Sequence, residues 1–186
     1  MEIAATALAD AGFIRQRWPF GSTFDPATRK NDEMFQRVHA GIGLAYARLD
    51  AKTIRFYYPD DKKLVQRTIL IPRSYLHLAA FEQPSILDSA SPPGPLSQPP
   101  FYAHDNLYYP NVVELLRSII KVYLEEREYT DIRHWQLRLS CWAFGYLYGE
   151  LQLRDDVLDT CDDEMVKECF NQQIKRGSGR SRVREK

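Results

Sequence analysis

Six of the eleven prolines in this 186-residue chain fall between Pro84 and Pro100, in the stretch PSILDSASPPGPLSQPP. Proline has no amide hydrogen to donate and a fixed φ, so this composition sustains neither helical nor ladder hydrogen bonds. It reads as a long surface insertion at 84–100, with strand-like runs before it and helix-like runs after it. Around it, the chain has 44% apolar and 12% aromatic residues, which suits one packed domain rather than a disordered polymer. No window approaches the roughly 18 uninterrupted apolar residues of a spanning helix. There is no internal repeat.

The charge balance is not uniform. Lysine plus arginine and aspartate plus glutamate each number 25. Residues 175–186 (KRGSGRSRVREK) nevertheless carry six basic groups and one acid, so a +5 tail offsets a −5 body. Three cysteines, Cys141, Cys161 and Cys169, form no Cys-x-x-Cys pair and fit neither a disulfide scaffold nor a zinc ribbon. Glu2 and Asp10 stand where a signal peptide or a mitochondrial presequence carries basic residues, leaving a short amphipathic helix or a loose end. A reducing compartment, cytoplasm or nucleus, is the expectation, and no membrane partner is implied.

In the front half, IGLAYARLD from Ile42, TIRFYY and LVQRTILI concentrate branched and aromatic residues. Pro59-Asp60-Asp61 between the last two is turn chemistry, so a meander of two or three strands is expected. Ile54, Phe56 and Tyr58 alternate with Arg55 and Tyr57 as in a half-buried strand. RSYLHLAAFEQ then predicts a short helix sharing Leu70, Tyr75, Leu78, Ala79 and Phe81 on one face. Asp60 and Asp61 resemble the adjacent carboxylates of two-metal enzymes, and Pro59-Asp60 with Asp61-Lys62-Lys63 has the letters of a metal-dependent nuclease. Those nuclease pieces overlap here instead of lying a strand apart, so a solvated turn is the simpler reading.

The back half predicts helices. Asn106 or Asn111 can cap a helix in which Val112, Leu115, Leu116, Ile119, Ile120, Tyr123 and Leu124 form one stripe. Thr130 or Asp131 can cap the next, with Ile132, Trp135, Leu139, Trp142, Ala143 and Tyr146 as its stripe, widened by Leu137, Phe144 and Leu147. Gly145 and Gly149 permit close packing or a break. A short helix at Arg154–Leu158 and a last one over DDEMVKECFNQQIKR follow, the latter acidic first and basic last, matching its dipole. His39, His77, His104 and His134 show no metal-ligand spacing, and Cys161 with Cys169 lacks further ligands. With neither a Gly-rich phosphate loop nor a G-x-S-x-G elbow, no catalytic residue, metal or cofactor is assigned, and enzymatic function is disfavoured. Lys175, Arg176, Arg180, Arg182, Arg184 and Lys186 are the candidate polyanion contacts. A solvated, disordered terminus is the competing reading, and Lys175-Arg176-Gly177-Ser178 has the pattern of a phosphorylation site that would lower the tail charge.

FYYPDDKKLVQRTILIPRSYLHLAAF, Phe56 to Phe81, resembles the signature of BTB/POZ domains. There a hairpin leads into a His-Lys pair, with a Leu four, a Ser eight and a Phe eleven residues after the His. Gln66 and Arg67 stand at the pair, Leu70 at the Leu, Ser74 at the Ser and His77 at the Phe. YYPNVVELLRSIIKVYLEEREYTD is similar to the family helix that ends in a Tyr-Thr-Gly turn, and LSCWAFGYLYGELQLRDDVLDTC to the helical hairpin after it. The departures are Gln-Arg for His-Lys, His77 for Phe, the lost Gly, and an insertion where the family has a short strand. The resemblance, closest to stand-alone fungal members, covers about 42–165.

It implies an α+β fold, with a small sheet flanked by helices, as one domain over 34–174. Residues 1–33 form a partly ordered lead-in and 175–186 a basic tail. It also implies a non-catalytic interaction module that homodimerises or docks as an adaptor on a cullin-type ubiquitin ligase scaffold. Met34, Phe35, Val38, Ile42 and Leu44 lie where family dimers exchange their first helix and strand, and are the candidate interface. The alternative is a small nucleic-acid-associated protein acting through its tail, which deletion of 175–186 distinguishes.

Overall fold

The computed structural model describes residues 1–22, 29–59, 67–78, 101–104, 107–129 and 134–181, with 101–104, 107–108 and 175–181 described by backbone alone. They combine helices with antiparallel strands in an α+β arrangement. The chain divides into two compact units, Met1–Tyr75 with Arg127–Leu137, and Leu76–Glu126 with Arg138–Lys186.

The first unit opens with helix α1 (Glu2–Asp10). Gly12, at φ +85, ends it in the left-handed conformation that glycine adopts without strain. Gly12 N–H donates to Ala9 O at 2.9 Å and Phe13 N–H to Leu8 O at 3.0 Å, the paired bonds of a Schellman stop. Strand β1 (Ile14–Arg15) follows, then helices α2 (Glu33–Ala45) and α3 (Ala47–Lys52) and strands β2 (Ile54–Tyr57) and β3 (Arg67–Leu70). The sheet is antiparallel in the order β1-β2-β3, with Arg15 opposite Phe56 and Ile54 opposite Leu70. On one side, Leu8, Phe13 and Leu70 pack against buried Ala5, Ile54 and Phe56. A second cluster joins Phe20, Tyr46 and Trp135, whose rings lie 5.3 to 6.1 Å apart. Trp135 Nε1 donates to Tyr75 Oη at 2.8 Å.

Three expectations change here. Residues 42–50 are helical in α2 and α3, not a strand. Asp32 caps α2 by accepting from Phe35 N–H at 2.9 Å, and Ala47, Arg48, Leu49 and Ala51 are strong helix formers, so local preference overrides an ambiguous apolar run. All four β2 residues are buried, where alternation predicts Arg55 and Tyr57 facing solvent. The segment after β1 accounts for this, since Trp18 lies 5.8 Å from the Tyr57 ring and its carbonyl accepts from Arg55. The helix expected from Arg73 is a turn over 73–77, with Tyr75 N–H bonded to Pro72 O and His77 at φ 52. A positive φ cannot continue an α-helix. Positions 79–100, including Ala79, Phe81 and the proline-rich insertion, lie outside the described residues.

In the second unit, β4 (Phe101–His104) pairs with β5 (Leu107–Pro110), a hairpin with Phe101 opposite Pro110. Helix α4 (Val112–Tyr129) crosses from the second unit's sequence into the first's. Asn111 Oδ1 accepts from Val113 N–H at 2.9 Å, one of the two caps anticipated. Leu116, Ile119, Ile120 and Val122 are buried. Helix α5 (His134–Ser140) runs into a π-helix, Cys141–Glu150, and α6 (Glu164–Ser181) is the last helix. The π winding shows in Leu151 N–H to Tyr146 O and Leu153 N–H to Tyr148 O. Tyr148 stands perpendicular to the Phe170 ring of α6 at 5.3 Å. The expected short helix at Arg154–Leu158 is a run of turns, bonded from Val157 to Arg154 and from Asp159 to Asp156. The backbone of α6 stays helical past position 174, where the sequence reading places the start of the tail.

Candidate functional site

Helix α2 sorts the five candidate interface residues into two sets. Met34, Val38 and Leu44 are 78, 57 and 62% exposed, large apolar side chains turned to solvent along one helix. Met34, Val38 and Gly41 share one side through spacings of four and three, and Leu44 lies three residues beyond Gly41, about 120° round from Val38, with exposed Arg37 in the same arc. A Cβ at Gly41 would meet nothing within 4 Å. Phe35 and Ile42 turn the other way and are half-buried. The Phe35 ring lies 5.7 Å from His39, and the Ile42 side chain packs on Gly21. Ser22 Oγ lies 2.5 Å from His39 Nε2, and Ser22 is buried.

The family-motif positions take separate places. Gln66 lies outside the described residues. Arg67 Nη1 donates to Phe20 O at 2.7 Å, and its guanidinium sits 5.2 Å over the Phe20 ring. Leu70 packs on the Ile54–Phe56 cluster, and Ser74 is exposed in the turn. His77 Nε2 lies 2.7 Å from Glu125 Oε1.

A polar knot that spacing alone could not reveal lies behind β2. Arg55 pairs through Nη1 with Asp50, and its Nη2 donates to Trp18 O at 3.2 Å. Asp50 also accepts from Phe20 N–H at 3.0 Å. Burial pushes the Asp50 carboxyl above its ordinary range, against the pull of Arg55 and the Phe20 amide. Gln16 Nε2 donates to the carbonyls of Trp18 and Pro19 at 2.9 and 3.1 Å. The irregular segment 16–22 is therefore held by side chains rather than by a ladder, which satisfies the backbone carbonyls of Trp18, Pro19 and Phe20. Gln16 Oε1, Trp18 Nε1 and Arg55 Nε are buried with no hydrogen-bond partner among the described residues.

In the second unit, a cavity of about 480 Å³ is lined by His77, Glu114, Arg117, Lys121, Asp162 and Asp163 among others. Its cations are already matched, with Arg117 3.2 Å from Asp162 and 3.3 Å from Glu114, and Lys121 3.5 Å from Asp163. Nearby in sequence, an exposed hydrogen bond to Asp155 pushes the Tyr148 phenol up to about 12.

Of the candidate polyanion contacts, Lys175, Arg176 and Arg180 fall on the α6 backbone, and Arg182, Arg184 and Lys186 lie outside the described residues. Cys141 is exposed, Cys161 and Cys169 are half-buried, and none of the three is in a disulfide among the described residues. Among the described residues, no three His, Cys, Asp or Glu side chains are grouped to hold a metal ion, and no helix is long and apolar enough to cross a membrane. No family model, curated protein or solved structure matches the chain.

Proposed function

We propose that the chain is a non-catalytic protein–protein interaction module of BTB/POZ type that pairs with a second copy of itself through the open face of α2. The motif resemblance supplies the class, with an adaptor role toward a cullin-type scaffold as its second expectation. The observation that carries the reading is the exposure of Met34, Val38 and Leu44 along one helix. Each large apolar side chain withdrawn from water stabilises an association by roughly 1.5–3 kcal/mol before entropy is charged against it. Gly41 lies within this face and lets a facing backbone approach closely. A closed two-fold pair needs one self-complementary patch, and an apolar helix face meets that need.

The test uses Val38→Lys, a change on an exposed helical position that is expected to leave the circular dichroism unchanged. Light scattering at tens of micromolar is expected to give a two-chain mass for the unaltered protein and a one-chain mass for the variant. A one-chain mass for both overturns the proposal.

A further inference from the structure

Met34 and Gly41 stand seven residues apart on α2, within about 20° of two full turns and about 10 Å along the axis. Met34 is a large side chain 78% exposed, and at Gly41 an added Cβ would meet nothing within 4 Å. One helix face therefore carries a projecting knob and an open hole. Val38, 57% exposed, lies beside the midpoint between them. The exposed charges of this face, Glu33 and Arg37, are opposite in sign and one turn apart, and both stand on the flank away from Val38. A knob and a hole at this spacing match a partner that presents the same two features in reverse order. A second copy lying antiparallel does so by symmetry, because a two-fold pair sets residue i against j and j against i. With the axis at the midpoint, between Arg37 and Val38, each Met34 faces the Gly41 of the other copy and the two Val38 side chains meet beside the axis. A parallel pair would set knob against knob and hole against hole.

We infer that α2 pairs antiparallel in this one register, with Met34 of each copy filling the space that Gly41 leaves in the other. This rests on the self-association proposed above and makes Gly41 the residue that sets the register, since a side chain there takes the place of the incoming Met34. In the single chain the same side chain has open space around it, and leucine is a better helix former than glycine. Gly41→Leu therefore acts on the pair and not on the fold.

Sedimentation equilibrium of the full chain tests this by comparing the unaltered protein with Gly41→Leu and with the double variant Met34→Ala/Gly41→Leu, which exchanges knob and hole. Gly41→Leu is expected to pair about a hundredfold more weakly, the consequence of overpacking at two symmetric contacts, while its circular dichroism shows no loss of helix. The double variant is expected to recover at least about tenfold of that loss, because its smaller side chain at 34 makes room for the larger one at 41. Unweakened pairing in Gly41→Leu, or no recovery in the double variant, overturns the antiparallel register and leaves the self-association itself standing. A single-chain mass for the unaltered protein overturns both.

Discussion

At the scale of single residues, two glycines of the first unit have opposite roles. A Cβ on Gly21 would lie 2.2 Å from Ile42 Cγ2 and 2.6 Å from the Tyr46 ring, and Tyr46 is buried and cannot retreat. Gly21→Ala is expected to lower unfolding stability by about 1–3 kcal/mol, the usual cost of overpacking, and urea denaturation measures it. In the single chain Gly41→Ala meets only open space, and at concentrations where the chain is unpaired it is expected to gain about 0.5–1 kcal/mol from reduced backbone freedom in the unfolded chain. Equal effects of the two changes would contradict the packing described for α2. Asp50 supplies a pH dependence of definite sign. Its carboxyl is raised above 3.8 by burial, which outweighs its pairing with Arg55. The unfolded chain releases this proton at lower pH than the folded one. The stability this group contributes is therefore full below the ordinary value and is lost as pH rises through the raised one. A carbon-detected NMR titration is expected to place its midpoint above 3.8, and a midpoint at or below that value would show that the ion pair dominates.

At the scale of elements, one of the caps at Asp32 and Asn111 is legible: Asn111 is one of the two residues offered for α4, whereas the sequence reading gives α2 no cap. Asp32 and Asn111 satisfy amides at the starts of α2 and α4. Changing either to Ala is expected to cost about 1 kcal/mol in thermal unfolding, while a change at exposed Glu33 costs far less. Asn111 precedes a regular apolar stripe, of which Leu116, Ile119 and Ile120 are buried and Val112, Leu115, Tyr123 and Leu124 half-buried, while Ser118, Val122 and Glu126, outside it, are buried as well. The segment from Trp135 is less legible because its winding changes. Trp135, Leu139, Ala143 and Leu147 are the buried apolar residues, each four residues after the last, whereas a 3.6-residue period places Tyr146 on the same side. The π-helix turns more slowly than an α-helix, keeps the four-residue series inward and leaves Tyr146 59% exposed. Gly149 suits this winding, since a Cβ there would lie 3.2 Å from Phe144 O, five residues back. The hairpin of β4 and β5 carries a usable signal, aromatic runs on either side of Asp105-Asn106. In the sequence reading those residues compete with a helix cap, because Asn serves both uses. The polar knot is not legible, because Gln16 lies far in sequence from the Asp50–Arg55 pair and reaches it only when β1 pairs with β2.

At the scale of the whole molecule, the neutral total conceals a negative body and a positive tail. A self-associating protein with a −5 body pays a repulsion that added salt screens, so dimerisation through an apolar α2 face is expected to strengthen modestly as ionic strength rises. Association driven by the tail meeting an acidic body would weaken instead, and mass measurements at low and high salt separate the two. Deletion of 175–186 is expected to leave the two-chain mass unchanged, because the proposed contact uses Met34, Val38 and Leu44. The most direct test of the central claim is sedimentation equilibrium of the full chain and of Val38→Lys over a concentration series. The mass is expected to rise to twice the 21.7 kDa of one chain for the unaltered protein and to hold at 21.7 kDa for the variant. A single-chain mass for the unaltered protein across the whole series, or an unaffected two-chain mass in the variant, would contradict it.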